Sequence, residues 1–111
     1  MRGGEGFLTE DDLIKKCKKG SREAFNILVS NYQQQVINSA YGMLSNQEDA
    51  YDAAQEVFVR VYKSIESFKE QSSFTTWLYR ITTNVCSDIL RKRQKHSGVI
   101  SINQAIDEKK D

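Results

Sequence analysis

Proline is absent from this 111-residue chain, and only six glycines occur. Nothing therefore removes a backbone donor from a helix, and little glycine is present to loosen one. Gly3, Gly4 and Gly6 precede the first helical segment without a strand before them, so they form no phosphate-binding loop. Sustained alternation of β-branched residues is also missing, which removes the signal for strands. Cysteine is scarce: Cys17 and Cys86 stand far apart, with no CxxC or His/Cys cluster around either. That argues against a zinc site of the usual spacing and favours two reduced thiols, acting as small buried hydrophobes, over a disulfide. The one histidine, His96, adjoins a basic run and is expected to be exposed rather than a ligand or a base. No apolar run approaches the ~20 residues that span a bilayer. The opening MRGGEGFLTEDD lacks an apolar signal segment, so a soluble cytoplasmic protein without a membrane or a cofactor is expected. An excess of either charge is missing too. Sixteen Lys and Arg against fifteen Asp and Glu give +1, which excludes a global basic field, so any nucleic-acid site must come from local charge segregation.

What is present is helical periodicity. The hydrophobic share of 39% and charged share of 28% imply one modest core with large solvated or partner-facing surfaces. An all-α compact bundle of about four helices follows from caps and apolar spacing. The first helix is expected over about Thr9 to Lys19, with Thr9 and Asp12 as a capping box, lysines in its last turn and Gly20 as a left-handed stop. The second starts after Ser21 as N-cap, with Phe25, Val29, Tyr32, Val36, Ala40 and Met43 as one apolar stripe. Ser45 and Glu48 predict an S-x-x-E capping box for the third, whose buried face is Ala50, Ala54, Val57, Val61 and Ile65 and whose end lies near Ser67. After the polar stretch Lys69 to Ser73, the fourth carries Leu78, Ile81, Val85 and Ile89 inward, up to Arg91, Lys92, Arg93 and Lys95. Residues 1–8 are expected to be a disordered segment, 9–95 the domain, and 96–111 a linker or frayed tail.

Three groups of residues carry chemistry. On the third helix Asp49, Asp52 and Glu56 recur at spacings of three and four, so like charges stack opposite the apolar stripe at a cost of a few tenths of a kcal/mol per pair. A solvated acidic face would account for them. With Gln55 and Phe58 beside them, they also make a docking face with polar specificity and an apolar anchor. No nucleophile or metal-ligand set accompanies the carboxylates, so catalysis is not indicated. The second group is the loop Phe68-Lys69-Glu70-Gln71-Ser72-Ser73-Phe74, followed by Thr75-Thr76-Trp77-Leu78-Tyr79-Arg80. It brings rings, small hydroxyls and a cation into one stretch, as holding an unstacked base requires. Phe74 and Trp77 also suit capping the core where helices meet. The third group is the stripe Arg80, Thr83, Asn84, Ser87 and Arg91 running into Lys92 and Arg93, with Asp88 the only acid between Arg80 and Lys95. Such local basicity suits a phosphate track.

The segments SREAFNILVSNYQQQVINSAYGML, EDAYDAAQEVFVRVYKSIESF and SSFTTWLYRITTNVCSDILRKR together resemble region 2 of sigma-70 family factors, in the extracytoplasmic-function group. The resemblance rests on D-A-x-D-x-x-Q-E-x-F from Asp49 and F-x-x-x-x-x-F-x-x-W-L-Y-R-I-x-x-N from Phe68, and covers roughly Thr9 to Lys95. It implies a non-enzymatic transcription initiator. Asp49, Asp52, Gln55, Glu56 and Phe58 would dock on the clamp helices of the RNA polymerase largest subunit. Phe68, Lys69, Gln71, Ser72, Ser73 and Phe74 would capture a flipped base of the non-template minus-ten element. Arg80, Asn84, Ser87, Arg91, Lys92 and Arg93 would contact neighbouring bases and backbone. An anti-sigma factor is a further implied partner. Many relatives carry Arg-Gly or Arg-x-Asp after the first Phe, where this chain has Lys69-Glu70-Gln71. Nothing after Lys95 supplies the minus-thirty-five-reading domain usual in the family, which suggests a piece of a longer protein. The alternative reading is a sigma-like protein-binding module or decoy, which would have no need of an aromatic loop and a basic helix.

Overall fold

The structure, a computed structural model, describes residues 8–97. The N-terminal segment with its three glycines, all but the first two residues of the tail expected from 96, and the side chain of His96 lie outside the described residues. Among the described residues are four α-helices: α1 (Glu10–Lys18), α2 (Arg22–Leu44), α3 (Gln47–Ser64) and α4 (Phe74–Ser97), with one 3₁₀ turn, Ile65–Ser67, between α3 and the loop.

The first three helix boundaries follow local chemistry. Thr9 accepts from the Asp12 N–H at 3.0 Å while Asp12 accepts from the Thr9 N–H at 3.3 Å, the reciprocal box expected for α1. Gly20 then takes φ +93° and turns the chain, and Ser21 accepts from the Ala24 N–H at 3.1 Å to open α2. The α2–α3 junction differs from the sequence expectation. Ser45 does not cap α3; it is the left-handed C-cap of α2, with φ 55° and its N–H donating to Tyr41 O at 2.8 Å. The N-cap is Asn46, which accepts from the Asp49 N–H at 2.8 Å. A joint this short needs one residue to close a helix and another to open the next, and Ser45 is used for the first.

The core lies where the four helices meet, with Leu13, Ile14 and Cys17 contributed by α1. The deepest positions of α2 are Ala24, Leu28, Val36, Ala40 and Leu44. The expected stripe residues Phe25, Val29, Tyr32 and Met43 sit beside them, half-buried. With partners on several sides, α2 buries a wider arc than one stripe. All five residues expected inward from α3 are buried, joined by Ala53 and Phe58. On α4, Leu78 and Val85 are buried with Cys86, Ile81 and Ile89 are half-buried, and the buried Thr82 satisfies its hydroxyl on Leu78 O at 2.9 Å. Cys17 and Cys86 are free and buried, and burial pushes both thiols above their ordinary value. Each fully buried Leu, Val or Phe contributes about 1.5–3 kcal/mol.

Candidate nucleic-acid interface and docking face

The loop between the 3₁₀ turn and α4 is built on an aromatic cluster. Phe68 and Phe74 are only 4% and 2% exposed, so their rings belong to the core and are not offered as stacking planes. They meet edge to face at 5.7 Å; Trp77 lies 5.0 Å from Phe68 and 5.6 Å from Phe74, and Tyr32 lies 5.2 Å from Phe74. Ser73 is occupied as well: its Oγ accepts from the Thr76 N–H at 3.1 Å and opens α4. The residues between line an open cavity of about 380 Å³, bordered by Ser67 through Ser72, Trp77 and Arg80. Lys69, Gln71 and Ser72 are thus brought together, with half-buried Trp77 as the ring on the wall. Glu70 takes φ 58°, a left-handed conformation unfavourable to a side chain with Cβ, which turns the loop back over the cavity.

From that cavity a stripe runs along α4. Arg80, Asn84, Ser87 and Arg91 follow at spacings of four, three and four, all exposed, over about 16 Å of helix. The basic run after them divides. Arg93 turns inward and donates to Leu44 O at 3.3 Å and to the Asp49 carboxylate, tying the α2–α3 junction to α4. Arg91 donates to Asp88 at 3.2 Å. Lys92 and Lys95 are exposed with no ion-pair partner among the described residues.

The acidic residues of α3 divide too. Glu56 accepts from Arg60 at 3.0 Å, and Arg60 reaches across to Asp88 at 3.1 Å, two bonds that push the Arg60 guanidinium above its ordinary value. Asp49 is held by Arg93. Asp52 has no such partner among the described residues and faces outward with Gln55. The carboxylates share one arc of α3 and differ in engagement: Asp49 and Glu56 lie at its edge toward α4, where cations meet them. The opposite flank, toward α2, is an apolar groove of about 620 Å³ that includes Phe25, Val29, Ile37, Phe58, Val59 and Tyr62. Phe58, the expected anchor, is 8% exposed and forms part of its wall.

The sigma-70 region 2 family pattern matches residues 28–96. The chain belongs to that family. Sigma factors are transcription initiation factors and not enzymes. The extracytoplasmic-function RNA polymerase sigma factor SigW of Bacillus subtilis is 44% identical over 81 residues, which are 73% of this chain and 43% of SigW. The chain thus spans less than half the length of this relative. Among solved structures, an engineered region 2 of sigmaE in complex with GTAAAA superposes with a TM-score of 0.77 at 32% identity, over 86% of this chain and 97% of that one. CnrH in complex with the cytosolic domain of CnrY gives a TM-score of 0.63 at 26% identity, over 68% of this chain and 49% of that one. No helix among the described residues of this region 2 domain is long and apolar enough to cross a membrane. Two features were missed from the sequence. The groove had a signal, since Tyr51, Val59 and Tyr62 are large residues outside the α3 stripe. The contact of the Lys18 Nζ, which donates to Phe68 O, had none, because Lys18 reads as one more cation at a helix end.

Proposed function

We propose that this region 2 domain docks on the clamp helices of the RNA polymerase largest subunit through α3, and captures bases of the non-template minus-ten strand in the loop cavity as the promoter melts. Asp52 and Gln55 form the outward part of the docking surface, Phe58 lies in the adjoining groove wall, and Asp49 and Glu56 contribute at its α4 edge. On the DNA side Lys69, Gln71 and Ser72 surround the captured base beside Trp77. Ser73, Phe68 and Phe74 hold the loop's shape. Arg80, Asn84, Ser87 and Arg91 follow the strand, with Lys92 on its phosphates, and Arg93 acts through the α2–α3 junction.

The single observation that carries this reading is a cavity walled by Trp77 and Arg80 that opens onto a continuous polar stripe of α4. The likeness to a region 2 in complex with GTAAAA supports it. Extruding a base costs a few kcal/mol, and stacking returns ~1–3 kcal/mol per base, so edge hydrogen bonds are needed to complete the balance. Asn84 suits that role, since its amide both donates and accepts. A protein ligand of anti-sigma type is a further partner, supported by the CnrH complex with the cytosolic domain of CnrY.

The test is binding of single-stranded GTAAAA against its duplex and against singly substituted strands. The parent should prefer the single strand, and Asn84→Ala should lose discrimination at one position more than overall affinity. Equal binding of every oligonucleotide by parent and variant would remove base capture and leave a protein-binding module.

A further inference from the structure

A lysine in the last turn of a helix ordinarily serves its own C-terminal carbonyls. Lys18 of α1 does not. Its Nζ reaches fifty positions along the chain and donates to the carbonyl oxygen of Phe68, while lying 5.6 Å from the centroid of the Phe68 ring. Phe68 is the hinge of the loop: its N–H closes the 3₁₀ turn on Ile65 O at 3.1 Å, its backbone is extended, and Glu70 two residues later takes the left-handed turn over the cavity. A cation on that carbonyl therefore fixes the direction in which Lys69 through Ser72 leave the core. The Phe68 ring that Lys18 approaches also packs against Trp77 at 5.0 Å, and Trp77 walls the cavity. α1 is anchored for this task at its other end, where the Tyr32 hydroxyl donates to Glu10, and where burial, together with that carboxylate, pushes the Tyr32 phenol above its ordinary value.

We infer that Lys18 is a positioning residue for the loop cavity, setting the Phe68 carbonyl and ring so that Lys69, Gln71, Ser72 and Trp77 face one captured base; the inference rests on the base-capture reading above. Lys18 touches no base itself. The charge-assisted bond and the cation–π contact act on one residue, so both vanish when the ammonium is removed and both return with another cation of similar reach.

The experiment uses Lys18→Met, which keeps the apolar stem, and Lys18→Arg, which keeps the charge. Trp77 is the only tryptophan in the sequence, so its emission reports the loop directly. Lys18→Met should retain the parent's helicity, shift Trp77 emission, and bind single-stranded GTAAAA about tenfold more weakly, equivalent to ~1.4 kcal/mol. Its affinity for a scrambled hexamer should change little, and Lys18→Arg should restore both readouts. Equal losses on matched and scrambled strands would make Lys18 a generic cation and overturn the inference, as would parental emission with parental affinity. A parent that does not distinguish the two strands would instead remove base capture. Emission alone then decides whether Lys18 sets the loop, and an unchanged spectrum would overturn that as well.

Discussion

Along α3, the flank facing α2 and the flank facing α4 leave different things for a partner. Toward α2 the surface is an apolar groove, with Val59 and Tyr62 about half exposed at 45% and 54%. Toward α4 the side chains are charged and engaged: Glu56 with Arg60, Arg60 with Asp88, Asp88 with Arg91, and Asp49 with Arg93. Between them Asp52 is exposed, and the exposed Gln55 borders the groove. Carboxylates three and four residues apart look equivalent along the chain, but of these three Asp52 is unpaired among the described residues while Asp49 and Glu56 are each engaged by an internal cation. Availability depends on the flank a residue occupies more than on its charge.

The largest effect should come from breaking the groove flank. Phe58→Ala removes a nearly buried ring and is expected to cost about 3 kcal/mol, the low end for a Phe→Ala substitution because one edge of the ring already borders the groove. Urea denaturation measures it. A loss under ~1 kcal/mol would mean that the groove collapses and that the two flanks differ less than drawn above.

Next is the contrast between Asp52 and Glu56. Asp52→Lys should leave stability within ~0.5 kcal/mol and weaken docking to a clamp-helix coiled coil about tenfold, ~1.4 kcal/mol. Glu56→Lys should weaken docking too, but it also places a cation against Arg60 and should cost a few tenths of a kcal/mol in the melt. Titration against the coiled coil and thermal melts of the same samples separate the two quantities. Parental docking by both reversals would remove α3 as the contact.

The smallest effect sharpens the α4 flank. Arg93→Ala deletes bonds to Leu44 O and Asp49; with Arg93 43% exposed, solvent screening limits the cost to about 1 kcal/mol at low salt. Lys92→Ala should change stability by less than ~0.5 kcal/mol while lowering the salt slope of single-strand binding by roughly 0.7. Should Lys92→Ala destabilise as much as Arg93→Ala, the division of the basic run would be wrong.

Much of this was legible in the sequence because it is local. The Thr9–Asp12 box, the Gly20 stop and the Ser21 cap join residues within one turn, and the buried face of α3 follows from a fixed rotation of 100° per residue, as does the continuity of Arg80, Asn84, Ser87 and Arg91. The junction at Ser45 and Asn46 was misread because both are good caps, and which one closes α2 depends on how tightly α3 must turn back.

The sequence by itself therefore determined that the chain is helical, where its helices run, and which residue types meet at the loop and on α4. Only the tertiary structure decided which of those side chains are available. Lys18 with Phe68, Arg60 with Asp88 and Arg93 with Asp49 stand 50, 28 and 44 positions apart. Pairings at such distances are set by how helices cross and which flanks face, quantities that periodicity along one helix does not contain.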